Sequence, residues 1–175
     1  MRDYLIVGSS RQASLDVRYQ QLLEAYASAL RRLCAAYLTD QADRQDLFQE
    51  IALALWKALP RYRREASERT WLYRVAHNVA LTYSGRRRRK DRLERPLEEM
   101  ATEPGVTEGQ RHRELLEAVQ QLPSFDKQLA LLYLEGLTGR EMEDVTGISA
   151  NNVAVRLSRV RQRLAASLRP KEVRR

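Results

Sequence analysis

The chain has 175 residues, 43% hydrophobic and 31% charged, which is the balance of a folded protein with room for one ordinary domain or two small ones and excludes a disordered chain. Lys and Arg outnumber Asp and Glu by 31 to 23, a formal net charge of +8, and such an excess favours a polyanionic partner because neutralised phosphates release condensed counterions. The single cysteine, Cys34, excludes an internal disulfide and fits a reducing cytosol, and no apolar run approaches the roughly 20 residues that span a bilayer.

Residues 1–14 hold only the apolar patch Tyr4 to Val7, too short and too weakly flanked for a signal peptide, and read as a loose leader. The first strongly periodic segment is Tyr19 to Leu38. Tyr19, Leu22, Leu23, Tyr26, Leu30, Leu33 and Tyr37 recur at three- and four-residue steps and share one helical face, with Cys34 on it as a small core residue. A second helix is expected over Asp43–Leu59, with Leu47, Phe48, Ile51, Leu55 and Leu59 inward, and it stops at Pro60. Its outer face carries Asp46, Gln49, Glu50, Leu53 and Lys57. An exposed leucine ringed by charges, on an acidic face of a basic protein, points to a protein partner rather than DNA.

A third helix begins near Ser67 or Thr70 and ends at Ser84 before Gly85, with Leu72, Val75, Ala76, Val79, Ala80 and Tyr83 inward. Trp71, Arg74 and Asn78 fall on the opposite side of the wheel. An exposed indole stacks on bases, an amide reads a base edge and a guanidinium holds phosphate, which suits single-stranded nucleic acid; the alternative is a tryptophan packed on a neighbouring loop. The run Arg86, Arg87, Arg88, Arg89 and Lys90 extends that basic surface. His77 has no Cys/His/Asp cluster at ligand spacing, so no metal is expected.

From Leu93 to about Gln110 prolines, glycines and glutamates replace the periodicity, which reads as a flexible linker. Beyond it come a short helix from Arg113 to Pro123, another from Phe125 to Glu135, and a break at Gly136. A short helix follows, capped by Thr138 with Glu141 completing a capping box, and a last helix from Ala150 to about Leu168 is capped by Ser149. The last two, joined by a tight turn at Gly147, make a helix-turn-helix. Val153, Leu157, Val160 and Leu164 face its core, which leaves Asn151, Asn152, Val155, Arg156 and Arg159 as candidates for DNA contact in a major groove. No catalytic set is visible, whether a phosphate loop, a nucleophile pair or paired carboxylates, so no enzyme, cofactor or small-molecule ligand is expected.

Taken in order, these pieces resemble a sigma factor of the extracytoplasmic-function (ECF) group of the sigma-70 family. The resemblance rests on Gln45-Asp46-Leu47-Phe48-Gln49-Glu50, on Leu55-Trp56-Lys57-Ala58-Leu59, and on Thr70 to Ala80 with the basic run, which are similar to the family's second conserved region. Leu122-Pro123, Leu131 to Leu137, Gly147-Ile148-Ser149 and the pattern from Val153 to Leu164 are similar to its fourth. The helix-turn-helix alone is shared with response-regulator domains, which lack the acidic helix.

The resemblance implies an all-α chain of two small helical domains. An N-terminal bundle of three or four helices (15–92) is joined by the linker (93–112) to a four-helix helix-turn-helix domain (113–170), with a basic tail over 171–175. It implies that Asp46, Gln49, Glu50 and Leu53 dock on core RNA polymerase. It also implies that Trp71, Asn78 and the loop from Pro60 to Thr70 hold flipped bases of the −10 element, that Arg86 to Lys90 grip the backbone upstream, and that the last helix reads the −35 element. Promoter DNA, core polymerase and an anti-sigma factor are the implied partners, with no membrane insertion, and the implied place of action is the cytoplasm, on the nucleoid when in holoenzyme. Two departures stand out. Ala154 and Val155 replace a basic or small polar pair, and Glu143 and Thr146 stand where the family has small or apolar residues, which suggests looser packing there or a partner.

Overall fold

In a computed structural model, residues 3–94 and 108–168 are described. Among them the chain forms seven α-helices, α1 (Asp3–Tyr37), α2 (Gln41–Ala58), α3 (Glu68–Glu94), α4 (Glu108–Gln120), α5 (Ser124–Leu134), α6 (Gly139–Thr146) and α7 (Ala150–Ser167), with a 3-10 turn at Leu59–Arg61. Among the described residues there is no strand. Part of the expected linker and the tail 171–175 lie outside the described residues.

The helix starts are set by caps. Asp40 accepts from the Asp43 amide at 3.0 Å at the head of α2, and the Ser67 hydroxyl accepts from the Thr70 amide at 3.0 Å ahead of α3. Thr138 and Glu141 form the expected capping box of α6, and Ser149 caps α7. The α6 C-cap, Gly147, has φ of 76°, a left-handed conformation that a side chain would strain.

Three boundaries differ from expectation. Helix α1 begins at Asp3, so the leader is taken into it. The stretch has no proline, and one interior glycine, Gly8, costs only about 1 kcal/mol. Helix α3 runs through Gly85 to Glu94 instead of stopping at Ser84, because the arginines beyond it are good helix formers. Helix α4 starts at Glu108, inside the expected linker.

Helices α2 and α3 pack on each other and on α1, and α7 packs on α4, α5 and α6. The two groups are not separate in space, for α1 meets α4 and α3 meets α5 and α6. Leu30, Leu47, Ile51, Leu55 and Leu72 are fully buried in the first group, and Val119, Leu129, Leu132, Met142, Val153 and Val160 in the second. Phe48, Val75, Val79 and Tyr83, expected inward, pack at the edge of the core. Cys34 is buried, and burial pushes its thiol up to about 12.

His77 is fully buried in α3, with its Nδ1 3.2 Å from the Tyr37 hydroxyl. Burial disfavours the imidazolium and lowers its pKa to about 3. The unfolded chain takes up a proton on this histidine below about pH 6.5 while the folded chain does not, so stability is present above that pH and is lost as pH falls towards 3. Between pH 6.5 and 5.5 this residue should remove about 1 kcal/mol of stability. Urea midpoints at the two pH values should show that drop, and His77→Leu, though less stable throughout, should flatten it.

Candidate nucleic-acid interface

The outer face of α2 is as expected. Asp46, Gln49, Leu53 and Lys57 are exposed, Glu50 is half-buried, and Leu53 keeps 51% of its surface open to solvent. Two acids along this helix pair with the basic run of α3, Glu50 with Arg86 at 2.9 Å and Asp43 with Arg87 at 2.9 Å. The docking candidate and the first of the phosphate-binding candidates therefore touch at a seam between an acidic and a basic surface. Arg88 reaches the other way and donates to the Ser124 hydroxyl at 2.9 Å, while Arg89 donates to the Gly85 carbonyl at 3.4 Å. The side chain of Lys90 lies outside the described residues.

Arg74 and Asn78 are exposed on α3. Trp71 takes the second of its two expected placements: it is half-buried and packs on the neighbouring loop, stacked on Tyr62 with ring centroids 4.8 Å apart and an interplanar angle of 26°. The loop between the 3-10 turn and α3 folds the tyrosine back. Tyr62 donates to the Ala66 carbonyl at 2.8 Å, Arg18 lies over its ring at 5.3 Å, and Arg64 takes a left-handed φ of 60° between them. An arginine in that region of backbone space is uncommon and is held only where its surroundings fix it. The result is a cleft lined by Arg61, Tyr62, Arg63, Glu65, Ala66, Trp71 and Arg74, closed on one side by Asp144 of α6. It offers an aromatic platform with a guanidinium rim, the combination that takes an unstacked base and its phosphate. Tyr62 belongs to the loop from Pro60 to Thr70 that the sequence reading assigned to this site, but its stacking on Trp71 was not foreseen.

On α7, Asn151, Asn152, Val155, Arg156 and Arg159 are all exposed, with Val155 open to 47%. Arg156 is not wholly given to solvent. Its guanidinium lies 4.7 Å from the centre of the Phe125 ring and 3.5 Å from the carboxylate of Asp126, which is buried and also takes Arg163 at 2.7 Å. Arg156 thus ties the recognition helix to α5 while showing one edge outward. Glu143, one of the two departures in α6, accepts from the Ala150 amide at 3.0 Å and so supports the first turn of α7. Thr146 bonds back to the Met142 carbonyl at 2.6 Å. The expected looseness of α6 is not found. Its unusual residues brace the turn, and the helix packs against α3.

Among the described residues no group of three or more His, Cys, Asp or Glu side chains is arranged to hold a metal, and no helix is long and apolar enough to cross a membrane.

The geometry is matched by known proteins. The family model for sigma-70 region 2 matches residues 22–90, which hold α2, α3 and the cleft, and that for sigma-70 region 4 matches residues 112–164, which hold the helix-turn-helix. The chain belongs to the sigma-70 family, as an ECF sigma factor. Among its relatives are the ECF RNA polymerase sigma factor SigC of Mycobacterium tuberculosis, 28% identical over 86% of this chain and 85% of the relative, and the RNA polymerase sigma-H factor of Pseudomonas aeruginosa, 24% identical over 87% and 86%. The fold of the sigma factor is also that of solved structures. The sigma factor RpoE from Bartonella quintana, crystallised with the anti-sigma factor NepR, superposes with a TM-score of 0.72 at 19% identity over 88% of this chain and 98% of that one. CnrH in complex with the cytosolic domain of CnrY superposes at 0.63 with 23% identity over 85% of each chain.

The brace on α7 can be measured in the sigma factor itself. Glu143→Ala removes one acceptor at the head of that helix and should cost about 1 kcal/mol, lowering the thermal midpoint by about 2–4 °C in a chain of this size. Glu143→Gln keeps an acceptor oxygen and should recover most of the loss.

Proposed function

We propose a division of labour within this sigma factor, which directs core RNA polymerase to promoters and to the start of transcription. The exposed face of α2, with Asp46, Gln49, Glu50 and Leu53, docks on the polymerase. The single observation that carries this is the placement of that acidic face, with an open leucine at its middle, on the same small bundle as the Trp71–Tyr62 cleft. Asp46 and Glu50 repel phosphates, whereas Arg61, Arg63 and Arg74 at the cleft attract them, so the two faces suit different partners.

In this reading Asn78, Arg74 and the cleft around Trp71 take unstacked bases of the −10 element. Extruding a base costs a few kcal/mol, so a pre-shaped site selects as well as binds. Arg86, Arg87, Arg88, Arg89 and Lys90 follow the backbone upstream. Asn151, Asn152, Val155, Arg156 and Arg159 face the −35 element, with asparagine suited to adenine, arginine to guanine or phosphate, and Val155 to a thymine methyl. The two functional domains are 15–92 and 113–170. The sigma factor contributes recognition and melting and carries out no bond chemistry of its own, and it acts in the cytoplasm, on the nucleoid when in holoenzyme. An anti-sigma factor is a further partner. The support is that the Bartonella relative was crystallised with one, and that region 2 here keeps its acidic face open.

Run-off transcription with core polymerase on a pool of genomic promoters tests the reading. Selective transcripts sharing two spaced elements are expected. Asp46→Ala with Glu50→Ala should abolish them together with polymerase binding. Asn78→Ala should relax sequence preference at the −10 element, whereas Arg89→Ala should weaken all promoters alike and reduce the salt slope by about 1. Neither transcripts nor polymerase binding from the unaltered chain would overturn it in favour of a DNA-binding regulator that works apart from the polymerase.

A further inference from the structure

One apolar cluster runs through both halves of the chain. At its edge the packing leaves a cavity of about 200 Å³, whose charged lining is Asp43, Arg87, Arg88 and Lys127. That volume is several times the ~30 Å³ share of one water in the liquid, room for one tetrahedral oxyanion.

The charges around it do not balance. Three cations face one carboxylate, and that carboxylate is already taken, since Asp43 pairs with Arg87 at 2.9 Å. Arg88, turned away from the rest of the basic run, donates to the neutral Ser124 hydroxyl at 2.9 Å. Lys127 has less. Its ammonium lies 5.5 Å from the centre of the Tyr37 ring and, among the described residues, meets no carboxylate and no hydrogen-bond acceptor. Yet Lys127 keeps only 6% of its exposure. Burial, and after it the like charge of Arg88, lowers its pKa to about 8, which leaves it charged at neutral pH.

A buried ammonium beside a guanidinium is costly unless something negative lies between them, and no side chain of the cavity fills that role. Neutral donors complete the lining. Thr39 offers a hydroxyl, and Gln120 has a second Nε2 hydrogen besides the one it gives to the Ala35 carbonyl at 2.7 Å. Two cations without carboxylate partners, backed by neutral donors in a small cavity, make a receptor for an oxyanion, and above all for phosphate.

We propose that this cavity binds a single phosphate group, free or at the end of a small organic phosphate, between the Lys127 ammonium and the Arg88 guanidinium. The inference stands on these residues and does not depend on the promoter reading. The lining comes from α3, α4, α5 and the turn before α2, so only the folded chain presents the site, and its occupant stabilises the fold by mass action.

The experiment is thermal unfolding of the full chain in phosphate-free buffer, with orthophosphate or ADP added, against sodium chloride of equal ionic strength. Orthophosphate at 100 times its Kd should raise the midpoint by about 5–10 °C along a saturable curve that chloride does not reproduce. Tighter binding of ADP assigns the site to an organic phosphate, and equal or weaker binding assigns it to the free ion. Lys127→Met keeps the length of the side chain without its charge. It should lose the phosphate shift, and without phosphate it should be at least as stable as the unaltered chain, because a buried unpaired charge is gone. Arg88→Gln, at an exposed position, keeps the fold if Lys127→Met does not, and should weaken binding about tenfold. Arg159→Gln, on the exposed face of α7, should bind phosphate as the unaltered chain does. No shift with either phosphate, a shift that chloride matches, or one that persists undiminished in folded Lys127→Met or Arg88→Gln would overturn the site. So would its loss in Arg159→Gln, which would place the phosphate on the outer surface of α7.

Discussion

Helix α3 has to satisfy three neighbours at once, and much of the molecule follows from that constraint. At 3.6 residues per turn a helix offers about one side chain per turn to each of three directions. Leu72, Ala76 and Ala80 face the N-terminal core and are fully buried. Arg69, Tyr73 and His77 form a second stripe at four-residue steps. The first two reach Glu135, and the third is buried against Tyr37. Trp71, Arg74 and Asn78 are left for the remaining direction, half-buried or exposed. The side that would be solvent in an isolated region 2 is partly covered by the other half of the chain.

The electrostatics divide into fixed and exchangeable pairs. Asp126 is buried between Arg156 and Arg163 and holds α7 to α5. Removing one partner of such a buried group is costly because the other is left uncompensated. The Glu50–Arg86 pair, by contrast, is half-exposed on both sides. Exposed pairs of this kind contribute about 0–1 kcal/mol, so either partner can be given up to a phosphate or to another protein at small cost. The seam between the acidic and basic surfaces can thus be rewritten on binding without disturbing the fold beneath it.

Periodicity made the helices legible, and local chemistry made their starts legible. Thr138 with Glu141 and Ser149 act over three residues, which a reader of the sequence sees directly. What stayed hidden acts over long separations or runs against a local rule. Glu135 finds its partners 62, 66 and 103 positions away in the chain, and nothing near it in sequence marks it. For Trp71 the sequence left two placements open, exposed or packed on a loop, and did not name Tyr62 as the ring it meets. Gly85 reads as a stop, yet the helix passes through it, because the arginines beyond it favour helix strongly enough to outweigh one glycine. The pattern of the candidate site was therefore recoverable from sequence, whereas the way one half of the chain leans on the other was not.

Cys34, buried where α1 meets α2, sets a limit on how this sigma factor can be informed of its surroundings. A thiol pushed up to about 12 carries almost no thiolate at neutral pH, and it is the thiolate that peroxide and disulfides attack. Burial thus keeps the chain's one thiol in its less reactive, protonated form while the fold is intact. Cys34 therefore works as a small apolar packing group between α1 and α2, and not as a redox handle.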